Sequence, residues 1–282
     1  MSVALLALFV AWEARAAHPM LPLRLFRNPR FTGAGVSITV LFFALSGVVF
    51  LSSQIYQFVL GYGPLAAGVR ALPSAAALAV FSPAGAALAK RAGVRVPVIL
   101  GLAAVTAGLL IFAQASASSG YGHYVLAMVI ISTGIGLAMS AATSASMREL
   151  PPAMAGVGSA VNDTTRNMGS VLGVAVFGSI MASVFAGRMG GESLAAAAAA
   201  GHRRGGASVL HAAANAFVTG ADRAVLAGAI VVAAGLVVAF RAFRPVRAAA
   251  SAASTASAEV PAGAAAEVPA PAEAPVLVAA RG

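Results

Sequence analysis

The chain has no cysteine among its 282 residues, which excludes disulfides, thiolate metal sites and cysteine nucleophiles. Charge is nearly as scarce. Asp, Glu, Lys and Arg make up 9% of the residues, against roughly a quarter in ordinary soluble domains. So few charges do not coat a water-facing globule of this length. Lysine occurs once, at Lys90, and Arg91 rather than Ser or Thr follows it, so there is no Walker-type phosphate loop. The four histidines, His18, His123, His202 and His211, are scattered without ligand spacing. Neither H-E-x-x-H nor G-x-S-x-G occurs. These absences leave no catalytic constellation, no metal site and no cofactor cradle, and an enzyme is the class with least support.

What the chain does have is apolar residues in long runs. They make up 60% of it, and its mean hydropathy is +0.91. The runs approach or exceed the ~20 residues needed to cross ~30 Å of hydrocarbon as a helix. They are continuous rather than alternating, which disfavours a β-barrel. The pattern predicts an all-α polytopic membrane protein. Residues 2–12, SVALLALFVAW, read as the last turns of a span whose beginning lies upstream, the partial span covering residues 1–14. A cleavable signal is the weaker reading, because no positive charge precedes the apolar run and Trp12 and Glu13 sit just before Ala14-Arg15-Ala16. A proline-punctuated junction follows over residues 15–30. Six complete spans are expected at residues 31–60, 65–89, 94–113 and 124–147, within 157–186 and within 224–240. They make a six-helix bundle over residues 31–243, with a long external loop at 187–222 holding short helical pieces. Residues 244–282 are Ala, Pro, Ser and Glu, too poor in large apolar side chains to fold, and read as a disordered cytoplasmic tail.

The net charge of +10 does not point to nucleic acid, because the basic residues sit at the ends of apolar runs with no aromatic-interleaved patch. Arg15, Arg24, Arg27, Arg30, Lys90, Arg91, Arg95, Arg148, Arg241, Arg244 and Arg247 fall on one side; Arg188, Arg203, Arg204 and Arg223 fall on the other. The positive-inside rule makes the first side cytoplasmic and places the carboxy terminus there, in a multi-pass protein of the cell membrane.

Polar residues inside the spans are the candidate functional groups. In the fifth span Asn162, Asp163, Arg166 and Asn167 fall three and four apart, so one helical face can present an amide, a carboxylate and a guanidinium. A charged residue at membrane depth is a functional hypothesis by default. The plainer reading is that Asp163 and Arg166 neutralise each other and fix packing or a gate. Further along, Gly169 and Gly173 form a G-x-x-x-G pair suited to close helix contact. Gln54 and Gln57 near the far end of the first span either face a cavity or bond across helices. Arg70 snorkels to the external interface, and Pro73 and Pro83 imply kinks in the second span.

Taken in order, HPMLPLRLFRNPRF (18–31), YQFVLGYGPLAAGVRALP (56–73), SPAGAALAKRAGVRVPVILG (82–101), AGVGSAVNDTTRNMGSVLGVAVFGSI (155–180) and AFVTGADRAVLAGA (216–229) give the chain a family likeness. It resembles the carboxy-terminal half of a major facilitator superfamily exporter, from the fourteen-span drug:proton antiporter branch, over roughly residues 1–243. In the stretch similar to that superfamily's cytoplasmic loop motif, Gly85, Arg91, Gly93 and Arg95 match, while Lys90 replaces the usual acid. The resemblance implies proton-driven efflux of small amphipathic compounds, with no cofactor. It also implies that an amino-terminal bundle, absent from this chain, carries the main coupling carboxylates. Membrane lipid, small-molecule substrate, protons and that missing half or a second half-bundle are the implied partners. Gln54, Gln57, Asn162 and Asp163 are then expected on the substrate cavity, with Arg166 as gate or charge partner. The alternatives are a non-transporting remnant or accessory half-bundle, and a transporter of another small-molecule class.

Overall fold

The computed structural model describes residues 28–116, 119–149, 154–190 and 207–243. The expected partial span, most of the junction, the middle of the external loop and the tail lie outside these residues. Seven α-helices form α1 (Pro29–Gln54), α2 (Pro64–Arg70), α3 (Leu72–Ala92), α4 (Arg95–Phe112), α5 (Tyr121–Arg148), α6 (Ala155–Arg188) and α7 (Ala207–Ala242). Among the described residues there is no strand. With α2 and α3 counted together, six segments among the described residues are long and apolar enough to cross a membrane, matching the six complete spans the sequence predicts.

Local chemistry sets the boundaries. The Asn28 side chain caps α1 by accepting the Arg30 amide at 3.0 Å, and Pro29 begins the helix, where its missing N–H goes unnoticed. α1 continues into a π-helical turn, Ile55–Val59, before Gly61 takes φ +68° and Pro64 starts α2. The second span is not one helix. It breaks at Ala71, just before Pro73, while Pro83 is held inside α3. Beside Pro83 the Ser140 hydroxyl of α5 donates to the Ser82 carbonyl at 3.0 Å, tying α5 to α3. α3 ends at Gly93, whose φ of +80° suits a residue without Cβ.

The largest difference from the sequence reading is in the external loop. Residues 207–222, expected in that loop, belong to α7, which runs unbroken for 36 residues. The physical reason is compositional: 207–222 is rich in alanine, contains no proline and carries apolar residues at helical spacing. Polarity around His211, Asn215 and Asp222 masked that continuity in the hydropathy pattern.

α1 and α5 are the central helices, each 56% buried along its most apolar window, whereas α3 and α6 are 17% and 28% buried. α1 packs chiefly on α6, and α5 on α3 and α4; α7 closes the bundle against α4, α6 and α1. Several crossings are backbone to backbone. A Cβ on Gly169 or Gly173 would run into the Thr39 and Phe43 carbonyls of α1, and one on Gly85 into the Leu137 carbonyl of α5. Small residues permit such approach where hydrophobic burial gives helices no drive to associate. Fully buried Ile38, Leu41, Leu51, Leu102, Leu109, Ile131, Ile135 and Phe177 fill the remaining core.

The two ends differ in chemistry. At the basic end Asn28 Nδ2 donates to Glu149 Oε2 at 2.7 Å, and the Arg95 guanidinium lies 4.5 Å from the Phe240 ring. At the opposite end stand all four tyrosines of the chain, Tyr56, Tyr62, Tyr121 and Tyr124.

Candidate functional site

The polar half of α6 divides between two faces. Asn162 is 7% exposed and lines a cavity of about 190 Å³ between α1, α5 and α6. Phe31, Val36, Ile38 and Val161 supply its apolar wall, and Thr32, Thr39, Ser146 and Thr165 its hydroxyls. Thr39 and Thr165 turn their hydroxyls back onto the Gly35 and Val161 carbonyls, at 3.1 and 2.6 Å. Asn162 Oδ1 has no hydrogen-bond partner, although leaving a buried acceptor unmet costs about 1–3 kcal/mol. An unused acceptor therefore stands at the wall of a cavity lined by apolar and hydroxyl side chains.

Asp163, one residue on, is exposed on the other side of the helix beside Thr164 and Asn167. The Arg166 side chain goes elsewhere. It reaches Thr143 Oγ1 at 3.4 Å and lies over the Phe42 ring at 5.5 Å, with Nε buried and unpartnered. Helical spacing put Asp163 and Arg166 within reach of each other, yet no ion pair joins them among the described residues. Arg166 is instead drawn into the α1–α5 crevice, where an aromatic face and a hydroxyl await it.

Gln54 and Gln57 are far from this cavity. Thr39 faces Gly169 and Phe43 faces Gly173, so α1 and α6 run parallel and Asn162 lies level with Thr32. Gln54 is 22 residues further along α1, about 33 Å at 1.5 Å per residue. The four expected cavity residues thus occupy opposite ends of the bundle. Gln57 is exposed, and its amide nitrogen bonds the Ser53 hydroxyl and carbonyl at 3.1 and 3.3 Å. The loop-motif residues also separate: Gly85 is buried at the α3–α5 crossing, Arg91 and Gly93 are exposed, and Arg95 stacks on Phe240.

Two groups at the tyrosine end escaped the sequence reading. Asp222 lies within α7, and its Oδ1 is buried without a partner, as is the hydroxyl of fully buried Tyr124. Asp222 is thus a second acid within the apolar helices, and unlike exposed Asp163 it has a buried oxygen. Its signal was present in AFVTGADRAVLAGA, where a carboxylate stands among residues of apolar helical period. The second group surrounds Arg70, whose guanidinium lies 3.8 Å from the Tyr62 ring centroid and 5.9 Å from that of Tyr121.

Six spans among the described residues, uncovered apolar faces on α3 and α6, and buried polar atoms without partners define a multi-pass membrane bundle. The chain belongs to the Major Facilitator Superfamily, a superfamily of transporters, whose profile matches residues 6–174. It is similar to Multidrug resistance protein Stp of Mycobacterium tuberculosis, at 36% identity over 179 residues, covering 63% of this chain and 33% of that protein. Multidrug efflux pump LfrA of Mycolicibacterium smegmatis is 30% identical over 179 residues, with 64% and 36% covered. The Tetracenomycin C resistance and export protein of Streptomyces glaucescens is 29% identical over 175 residues, with 62% and 32% covered. The chain spans about a third of the length of these curated relatives.

Proposed function

We propose that the chain forms the carboxy-terminal half of a proton-driven exporter of small amphipathic compounds in the cell membrane. The observation that carries this reading is the split of the α6 polar segment, with Asn162 in a mostly apolar cavity and Asp163 and Asn167 on an uncovered helical face. A carboxylate on that face is poorly suited to lipid and well suited to a water-filled path between two halves. The substrate class follows from the relatives, three of which are named for drug resistance or export.

The uncovered faces differ in composition. On α7 they carry Leu226, Ile230, Val231, Val237 and Val238, side chains that match lipid. On α3 small residues predominate, Ala75, Ala76, Ala79, Pro83 and Ala84 beside Leu72 and Val80, which would let another helix approach closely. A second bundle lying against α3 and α6 would complete the transport path at their interface. The basic end is cytoplasmic in this arrangement, and the carboxy terminus with it.

Asp163 is the protonation site of this half, Asn162 a substrate contact and Arg166 the strut that holds α6 against α1 and α5. The test is ethidium efflux from cells in which the chain is joined to an amino-terminal bundle. Gradient-dependent efflux that is lost in Asp163→Asn at equal protein level supports the reading. Efflux unchanged in Asp163→Asn removes Asp163 from coupling, and no efflux from a correctly inserted two-half protein overturns export itself.

A further inference from the structure

Arg70 is held by aromatic faces rather than by an acid. Its guanidinium lies 3.8 Å from the centre of the Tyr62 ring and 5.9 Å from that of Tyr121. Its hydrogen bond is a long one, from Nη1 to the Ala66 carbonyl at 3.3 Å, and no carboxylate pairs with it among the described residues. The rings are themselves fixed. The Tyr121 hydroxyl donates to the Arg70 carbonyl at 2.8 Å, and the Tyr56 ring backs Tyr121 at 6.0 Å. The Tyr62 amide donates to the Tyr56 carbonyl at 2.9 Å across the turn at Gly61. Tyr56 stands on the π-helical turn Ile55–Val59, an irregularity frequent at functional sites. Three elements thus converge to form an aromatic recess, in which Tyr62 and Tyr121 face the guanidinium and Tyr56 backs Tyr121.

We propose that the Tyr56–Tyr62–Tyr121 recess is a binding site for an organic cation, occupied in this structure by the chain's own Arg70. A recess that holds positive charge by ring faces selects weakly hydrated cations, guanidinium or quaternary ammonium, over strongly hydrated ones. It sits about 33 Å along α1 from the Asn162 cavity, so the two are separate sites. Under the export reading, on which this role rests, the recess is the last station on the external side. A departing cation takes the rings when Arg70 swings out, and Arg70 expels it on returning.

The four tyrosines allow a direct measurement on the full chain in lipid nanodiscs. Carbon-13 labelling of the tyrosine rings gives four sets of signals, and tetraethylammonium is the titrant. In Arg70→Gln, which removes the charge and withdraws the end of the side chain from the rings, tetraethylammonium is expected to shift the Tyr62 and Tyr121 signals to saturation. Removing one ring face in Arg70→Gln/Tyr62→Leu should weaken that binding about 5- to 30-fold, the equivalent of ~1–2 kcal/mol for one cation–π contact. Arg70→Gln/Tyr62→Phe should restore it, and the unsubstituted chain should bind more weakly than Arg70→Gln because Arg70 competes. Neutral tert-butanol should leave the signals in place. Unmoved signals in Arg70→Gln overturn the proposal, as does equal affinity in Arg70→Gln and Arg70→Gln/Tyr62→Leu. Binding here without efflux in cells would sink the export reading and leave the site standing.

Discussion

Asn28 performs two tasks with one amide. Oδ1 caps α1, and Nδ2 donates to Glu149 at the end of α5. Asn28→Ala should therefore lower stability by about 1–2 kcal/mol, read as the midpoint of denaturant unfolding in detergent. Asn28→Asp keeps the cap but sets two carboxylates together, and should recover less than half of the loss. Asp222 poses the opposite case. Its buried oxygen has no partner, so Asp222→Leu should raise the unfolding midpoint, by about 1 kcal/mol. If the carboxyl serves proton movement, the same substitution should abolish gradient-dependent efflux in the two-half protein. A gain in stability with efflux intact would reduce Asp222 to an uncompensated defect. At this scale the sequence was only partly legible. Spacing told which side chains share a helical face, as for Asn162 and Arg166. It did not tell which neighbour each would meet, because Thr143 and Phe42 reach Arg166 from helices far away in the chain.

At the scale of elements, hydropathy located all six spans, since crossing a membrane demands a continuous apolar run. It misplaced the start of the last helix, where alanine and polar residues dilute hydropathy without opposing helix formation. The glycine pair at 169 and 173 was legible as a packing device, although its partner, the backbone of α1 around Thr39 and Phe43, was not. That contact makes a sharp contrast. Gly173→Leu should separate α1 from α6 and cost at least about 2 kcal/mol through overpacking. Gly35→Ala meets nothing within 4 Å, and should stabilise α1 by about 0.5–1 kcal/mol through helix propensity. Thermal unfolding in detergent measures both, and similar behaviour of the two variants would dismiss the backbone contact.

For the whole molecule, the absence of cysteine makes orientation unusually simple to test. In intact cells a membrane-impermeant maleimide should label Ser119→Cys at the tyrosine end and leave Lys90→Cys unlabelled until the membrane is opened. The reverse pattern would invert the proposed topology. Charge bias alone carries the expected orientation, whereas the contrast between the uncovered faces of α3 and α7 is visible only in the structure, because both helices are apolar and differ in which residues stay uncovered. The glycine crossings carry a mechanical consequence. Where backbones touch through Gly85, Gly169 and Gly173, no layer of side chains stands between the helices, and their spacing has no room to shrink. Any enlargement of one of these three residues must therefore move a whole helix, so the geometry of the bundle hangs on side chains that are not there.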